Sequence, residues 1–238
     1  MNLIALQVKT TENFSENLEH LKELIKKCPA DSIILAPEIA LTGFCYNRMQ
    51  EAAEFSTFAI QQLQELAINK TIALTLITKQ NDKFFNTLYI FDKKQILHTQ
   101  SKIKLFPLGN ELEHFEAGKE EDIKIIEING LKVATLICFE FRFPKLWQKV
   151  AGADIILNPA MWGLTRKDHY ETISKSLALV NQCFVIAANS ADLNMAKGSA
   201  IISPFGNVIK DDEKEIIIEK VDLNEIQRVR KYINIGLN

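Results

Sequence analysis

Three side chains capable of covalent chemistry stand at the ends of apolar segments or open a long loop in this 238-residue chain. Glu38 comes just after the apolar run 32–36, Cys138 ends the run 132–137, and Lys102 begins the loop. α/β proteins commonly place function at the carboxyl ends of buried strands. A thiol at the elbow between a strand and the turn before a helix is predicted to be an exposed nucleophile, and a carboxylate there can be a general base. A nearby ammonium lowers the pKa of the thiol or stabilises an oxyanion.

Each of these residues also has an ordinary structural explanation. An acid after a strand can hold a turn, an isolated cysteine is most often buried and inert, and a loop lysine is usually solvated. A Cys–His pair is the main alternative for the nucleophile. His20 lies in the first predicted helix. No local pattern ties the other histidines to Cys138, so the spacing leaves this alternative open for His98, His114 and His169.

The composition argues against several classes of protein. Hydrophobic residues make up 47% and charged residues 24% of the chain, as in an ordinary globular protein. A formal net charge of −2 argues against a nucleic-acid-binding protein, which usually has a basic excess. The longest apolar stretches fall far short of the ~18 residues of a membrane-spanning helix, and residues 1–10 do not resemble a signal peptide. The four cysteines form no CxxC pair and have no metal-ligand spacing, so we expect free thiols, no metal site and a cytoplasmic location.

Predicted strands and helices alternate early in the chain, and strands predominate near its end. A capping box at Asn13 and Glu16 begins the first helix, which Pro29 ends. Further helices are predicted at residues 49–69, 144–150, 168–182 and 223–232. Strands are predicted at residues 3–8, 32–36, 71–78, 84–91, 95–100, 123–128, 132–137, 154–157 and 184–188, followed by a final antiparallel set at 199–203, 206–210 and 215–221. We expect one domain, residues 1–238 with 222–238 as a C-terminal helix and tail, built on a mixed sheet or two sheets covered by helices.

Three motifs resemble, in order and in separation, the catalytic motifs of the nitrilase superfamily, the carbon–nitrogen hydrolases. They are the segments 37–44 (PEIALTGF), 102–106 (KIKLF) and 136–144 (LICFEFRFP). The resemblance covers nearly the whole chain, with supporting segments at Gln7, Asn86-Thr87, Asn158-Pro159-Ala160 and Ser203-Pro204-Phe205-Gly206. It implies an α/β (α+β) fold built as a four-layer α-β-β-α sandwich, no metal or organic cofactor, and assembly into a homo-oligomer.

The resemblance also implies the roles of the site residues. In the order general base, oxyanion-binding cation and nucleophile, they are Glu38, Lys102 and Cys138. The backbone N–H of Phe139 would be the second oxyanion donor. Glu111 matches the supporting acid of the family, with Glu113 as the alternative. This set suits hydrolysis of an amide through a thioester, because an amide carbon is a poor electrophile that needs a strong nucleophile and charge stabilisation on its oxygen.

Residues around the motifs are most similar to the ω-amidase branch, which hydrolyses dicarboxylic acid monoamides such as 2-oxoglutaramate. They are Pro159-Ala160-Met161-Trp162, Arg166, His169, Tyr170 and Asn181-Gln182. The resemblance assigns Arg142 to the distant carboxylate of the substrate, and the alternative is a pair with Glu140 that holds the turn. Trp162 and Phe44 would wall the pocket, with plain core packing as the alternative.

Three positions depart from the usual family pattern and bear on specificity more than on activity. Lys104, Glu140 and Phe44 stand where histidine, aspartate and tyrosine are usual. We expect a small linear amide as substrate, with an N-carbamoyl amine or amino acid as the alternative. A catalytically silent binding protein on the same fold is a further alternative, which the presence of all three catalytic residue types disfavours. The tail 232–238 is a candidate interface segment between copies of the chain.

Overall fold

Short runs of β-branched and aliphatic residues form the strands of the protein, and the computed structural model describes residues 1–237. The strands are β1 (Asn2–Leu6), β2 (Ser32–Leu35), β3 (Lys70–Gln80), β4 (Lys83–Asp92), β5 (Gln95–Ser101), β6 (Ile126–Ile128), β7 (Leu131–Thr135), β8 (Ile155–Ala160), β9 (Phe184–Asn189), β10 (Ala200–Ile202), β11 (Val208–Lys210) and β12 (Ile216–Lys220). The helices are α1 (Phe14–Lys27), α2 (Met49–Leu66), α3 (Glu111–His114), α4 (Pro144–Lys149), α5 (Lys167–Asn181) and α6 (Asn224–Tyr232).

The strands form two six-stranded sheets within residues 1–237. The first sheet has the spatial order β12-β1-β2-β3-β4-β5, and its strands β1, β2 and β3 are parallel. The second has the order β11-β10-β9-β8-β7-β6, and its strands β7, β8 and β9 are parallel. The remaining pairs are antiparallel. Because parallel neighbours need a crossover connection, a helix follows each of β1, β2, β7 and β8.

The two sheets pack face to face, and helices cover their outer faces. Leu3 and Ala5 of β1 belong to the same buried cluster as Ile186 of the second sheet. Their neighbours Ile4 and Leu6 instead join a buried cluster that includes α1 and α2. This alternation follows the two-residue period of a strand that is buried on both faces. With α5 packed on β9 and β10, the arrangement is the four-layer α-β-β-α sandwich that the resemblance implied.

The helices are amphipathic elements on the outside of the sheets. The predicted start of α1 is confirmed, since Asn13 Oδ1 accepts hydrogen bonds from the amides of Ser15 and Glu16, and Asn13 Nδ2 donates to Glu16 Oε1 at 2.8 Å. The helix ends at Lys27, two residues before Pro29. No helix within residues 1–237 is both long enough and apolar enough to cross a membrane.

The antiparallel set predicted at the end of the chain is wrong for its last strand. β10 and β11 pair antiparallel, as predicted. β12 instead crosses to the first sheet and pairs antiparallel with β1, with Ile218 opposite Ile4. One edge of β1 is taken by β2, and β12 supplies backbone donors and acceptors to the other edge, which would otherwise stay unpaired.

Candidate active site

Three loops at the ends of β2, β5 and β7 bring Glu38, Lys102 and Cys138 together. Lys102 Nζ donates to Glu38 Oε1 at 2.7 Å, and both side chains are fully buried. The amide of Glu38 donates to the carbonyl of Ala160 at 3.2 Å, so the first sheet is joined to the second at this point. The structure therefore collects the three chemically capable residues of the sequence into one buried cluster.

Cys138 has a left-handed backbone conformation, with φ of 47°. Such a conformation costs a residue with a side chain about 1–2 kcal/mol and is concentrated at functional sites. Cys138 begins the short 3-10 helix Cys138–Arg142, three residues after β7 ends at Thr135. The sequence predicted an exposed thiol at this elbow, but Cys138 is only 7% exposed, because the turn packs into the core between the sheets.

Lys102 contacts two carboxylates, not only that of Glu38. Its Nζ also donates to Glu111 Oε1 at 2.7 Å, while Glu111 Oε2 accepts from the amide of Phe106 at 3.1 Å. Glu113 is exposed, so the structure places Glu111, not its alternative, against the lysine. Burial and the charge on Glu38 raise the pKa of the Glu111 carboxyl to about 7, although Lys102 acts in the opposite direction.

The charges of the cluster determine how its groups hold their protons. Burial acts to lower the pKa of the Lys102 ammonium, but the charges of Glu38, Cys138 and Glu111 outweigh this effect and raise it above its ordinary value. Burial raises the pKa of the Cys138 thiol well above its ordinary value, and the charge on Glu38 adds to the rise. Lys102 opposes that rise without reversing it. The resting site therefore holds a protonated thiol beside the ammonium of Lys102.

Asn86 on β4 supports the Glu38 carboxylate from the first sheet. Asn86 Nδ2 donates to Glu38 Oε1 at 2.8 Å, and the carbonyl of Asn86 accepts from the amide of Lys102 at 2.8 Å. Glu38 Oε2 is buried and has no hydrogen-bond partner among residues 1–237. One carboxylate oxygen is thus fixed, and the other remains available to exchange a proton. The sequence offered Asn86 only as part of the family resemblance, without a role.

Glu140 connects the loop that begins at Lys102 to the turn that begins at Cys138, a role that the sequence did not suggest. Its carboxylate accepts from the amide of Ile103 at 2.7 Å and from the amide of Ile137 at 2.6 Å. These are the residue after Lys102 and the residue before Cys138. Burial raises the pKa of Glu140 to about 7, although both amide hydrogen bonds favour the ionised form.

A narrow cavity opens onto Cys138. It is lined by Phe106, Cys138, Phe139, Arg142, Met161, Trp162 and Arg166. Its free space of about 20 Å³ has room for one or two water molecules. Trp162 is among the side chains that line this cavity. Phe44 lines a neighbouring groove instead, with its ring 5.9 Å from Lys102 Nζ.

Arg142 does not form the alternative pair with Glu140 that the sequence left open. The carboxylate of Glu140 is used by backbone amides, and Arg142 lies with its guanidinium carbon 4.5 Å from the ring centre of Trp162. Arg142 Nη2 is 3.1 Å from His169 Nδ1, so this histidine contacts the arginine. Within residues 1–237, no group of three or more His, Cys, Asp and Glu side chains is placed to hold a metal ion.

Comparison with known proteins identifies the family. The family model described as carbon-nitrogen hydrolase matches residues 3–231. The 2-oxoglutaramate amidase of Bacillus subtilis is 32% identical over 234 residues, which cover 92% of this chain and 89% of that protein. A protein of Staphylococcus lugdunensis named hydrolase in agr operon is 29% identical over 215 residues, covering 84% of this chain and 92% of its own.

Solved structures have the same fold. A CN-hydrolase superfamily protein from Xanthomonas campestris superimposes with a TM-score of 0.87 at 20% identity, covering 98% of this chain and 94% of its own. A carbon-nitrogen hydrolase from Helicobacter pylori gives a TM-score of 0.88 at 19% identity, covering 98% and 92% of the two chains. From the match of the family model over almost its full length, we conclude that this chain belongs to the carbon-nitrogen hydrolase family.

Proposed function

We propose that this carbon–nitrogen hydrolase is a cysteine-dependent ω-amidase, which releases ammonia from a dicarboxylic acid monoamide such as 2-oxoglutaramate. The observation that carries the proposal is the buried contact of Lys102 with Glu38 beside Cys138, which lines a cavity together with Arg142. The similarity to a relative named 2-oxoglutaramate amidase supports the substrate class.

The first half of the proposed reaction forms a thioester. Glu38 takes the thiol proton of Cys138, and the sulfur attacks the amide carbon, so that a C–S bond forms and the carbonyl oxygen becomes negative. The ammonium of Lys102 and the backbone N–H of Phe139 stabilise this oxyanion. Glu38 then gives its proton to the nitrogen, the C–N bond breaks and ammonia leaves. A base is needed here because the raised pKa of Cys138 keeps the resting thiol protonated.

The second half hydrolyses the thioester. Water attacks the acyl carbon while Glu38 accepts one of its protons, and the same two donors stabilise the second oxyanion. The C–S bond then breaks, Glu38 returns the proton to the sulfur, and the free acid leaves. Glu111 acts as the supporting acid: its side chain accepts a second hydrogen bond from Lys102, in addition to that of Glu38, and keeps the ammonium in place. The reaction consumes one amide and one water and yields one acid and one ammonia.

In this proposal, Arg142 binds the carboxylate at the end of the substrate distant from the amide. A guanidinium binds a carboxylate through two parallel hydrogen bonds, and the guanidinium of Arg142 lies over the ring of Trp162. Trp162 forms one wall of the cavity, and Phe44 bounds the neighbouring groove on the side of Lys102. A substrate with an amide at one end and a carboxylate at the other would therefore span from Cys138 to Arg142.

The cellular setting is also a proposal. The four cysteines are free thiols, which suits a reducing compartment such as the cytoplasm. The end of α5, the last residue of α6 and the residues after α6 expose large apolar side chains, namely Leu179, Val180, Tyr232, Ile233 and Ile235. We propose that this region, with the described part of the tail 232–237, mediates homo-oligomerisation, and sedimentation of the purified protein tests it; Asn238 lies outside the described residues.

Ammonia release from a substrate panel tests the proposed function. The panel contains 2-oxoglutaramate, succinamate, an N-carbamoyl amine and a simple nitrile. We expect turnover of the two monoamides, its loss in Cys138→Ala, and its retention in Cys183→Ala, which removes another buried thiol, just before β9. Turnover of the carbamoyl amine alone would refute the substrate class, and no turnover of any compound would favour a silent binding protein.

A further inference from the structure

Two arginines at the cavity have no acidic partner. Arg142 and Arg166 both line the space in front of Cys138. Among residues 1–237, the ion pairs of arginine involve Arg48, Arg228 and Arg230, and neither cavity arginine has a carboxylate within 4 Å. The other lining side chains are aromatic or apolar apart from the thiol. Two positive charges with no counter-charge repel each other, so this wall favours an electron-rich ligand.

Both arginines hold their guanidinium groups over aromatic rings. The guanidinium carbon of Arg142 lies 4.5 Å from the ring centre of Trp162, and that of Arg166 lies 5.3 Å from the ring centre of Phe106. A guanidinium over an aromatic ring gains cation–π attraction and can still donate its N–H groups to an acceptor. The cavity is therefore bordered by two guanidinium groups, although a single carboxylate is satisfied by one.

Gly163 brings Arg166 close to the backbone of its loop. A Cβ at this position would lie 3.2 Å from Arg166 Nη2, so an alanine here would shift the guanidinium by a few tenths of an ångström. The loop itself is anchored, since the amide of Leu164 donates to the carbonyl of Asn194 at 2.8 Å and that of Arg166 donates to Gly163 at 3.0 Å. The position of Arg166 thus depends on the fold and not only on the side chain.

We infer that Arg166 is a specificity residue, which binds the oxygen on the carbon next to the free carboxylate of the substrate while Arg142 binds the carboxylate. The preferred substrates are then monoamides of 2-oxo dicarboxylic acids, because a 2-oxo acid presents three oxygen acceptors on two adjacent carbons. A substrate with a 2-ammonium group in that position, such as free glutamine, is repelled by both arginines. The inference rests on the proposed amidase function of the cavity.

Kinetics on three amides of equal chain length test the inference. We compare 2-oxoglutaramate, glutaramate and glutamine as substrates of the wild type, Arg166→Gln, Arg142→Gln and Gly163→Ala. Arg166→Gln should lower kcat/KM for 2-oxoglutaramate about 10- to 100-fold, the value of a charge-assisted hydrogen bond, and lower that for glutaramate less than about threefold. Arg142→Gln should lower kcat/KM for both 2-oxoglutaramate and glutaramate. Gly163→Ala should reproduce the selective loss in weaker form because it keeps the charge of Arg166.

A binding measurement separates this inference from the proposed function. Ligand-observed NMR titration compares 2-oxopentanoate with pentanoate, which have the same chain but no amide. The wild type should bind the 2-oxo acid more tightly, and Arg166→Gln should remove the difference while Arg228→Gln, an exposed arginine of α6, should retain it. If the wild type shows this difference in binding but turns over none of the amides, the amidase proposal alone is overturned. If Arg166→Gln lowers the affinity for both acids equally, or does not lower it at all, the specificity inference is overturned.

Discussion

Replacement of Gly118 by alanine should damage the site without touching any reactive group. A Cβ on Gly118 would lie 2.2 Å from the carbonyl oxygen of Ser101, and Gly118 N–H donates to the carbonyl of Lys102 at 2.9 Å. A carbon approaches a carbonyl oxygen to about 3.3 Å, so the two segments must separate by about 1 Å. Because the clash is with backbone, no side-chain rotation relieves it.

The expected size of the effect follows from these contacts. Overpacking costs about 1–3 kcal/mol and the lost backbone hydrogen bond about 1 kcal/mol, so the free energy of unfolding should fall by about 2–4 kcal/mol. Lys102 moves with its backbone, away from the two carboxylates at 2.7 Å. A displacement of about 1 Å at a catalytic group costs about 10²-fold in rate, and kcat/KM for 2-oxoglutaramate should fall by that factor.

Urea denaturation and steady-state kinetics measure the two effects. Gly152→Ala is the matched control, since Gly152 has φ of 89° and nothing within 4 Å of its Cβ position. That substitution should cost about 1–2 kcal/mol of backbone strain and leave kcat/KM unchanged. A Gly118→Ala protein with stability within about 0.5 kcal/mol and activity within about twofold of wild type would refute the reasoning.

Three further predictions concern buried polar groups, and urea denaturation measures the stability in each. The hydroxyl of Tyr170 is buried without a partner among residues 1–237, so Tyr170→Phe should raise the free energy of unfolding by about 1 kcal/mol, and a loss would contradict this. Because folding raises the pKa of Glu111 from 4.5 to about 7, the folded state holds that proton more tightly, and stability should fall as the pH rises from about 5 to 7. Glu111→Gln should flatten this slope, and an unchanged slope would count against the assignment. Glu140→Ala leaves the amides of Ile103 and Ile137 without acceptors and should cost about 2–5 kcal/mol, whereas a loss below about 1 kcal/mol would contradict the proposed connection.

Features set by nearby residues were predictable from the sequence. The capping box at Asn13 and the apolar face of α1 depend on contacts within a few residues of the chain, and both are present. The predicted strands near Glu38 and Cys138 occur because apolar runs of four or more residues form buried strands in a sandwich. The family motifs then supplied the pairing of these distant segments, which no local pattern contains.

Features that depend on distant contacts were not predictable in this way. β12 looks like a partner of β11 in sequence but pairs with β1, because the edge available to it belongs to the other sheet. Glu111 and Glu113 are two positions apart on one helical turn and therefore point to different sides, and only the position of Lys102 distinguishes them. Glu140 bonds to two loops, and Cys138 has a left-handed backbone conformation. Both features arise from the packing of these loops, which the periodicity of the sequence does not reveal.

Mass spectrometry of the acyl-enzyme tests the central claim most directly. The wild type and Cys183→Ala are quenched with acid during turnover of 2-oxoglutaramate, and their peptides are mapped. The account predicts a mass increase equal to the substrate minus ammonia on the peptide containing Cys138, and no adduct and no ammonia release in Cys138→Ala. Ammonia release that persists in Cys138→Ala, or an adduct on another residue, would contradict the account.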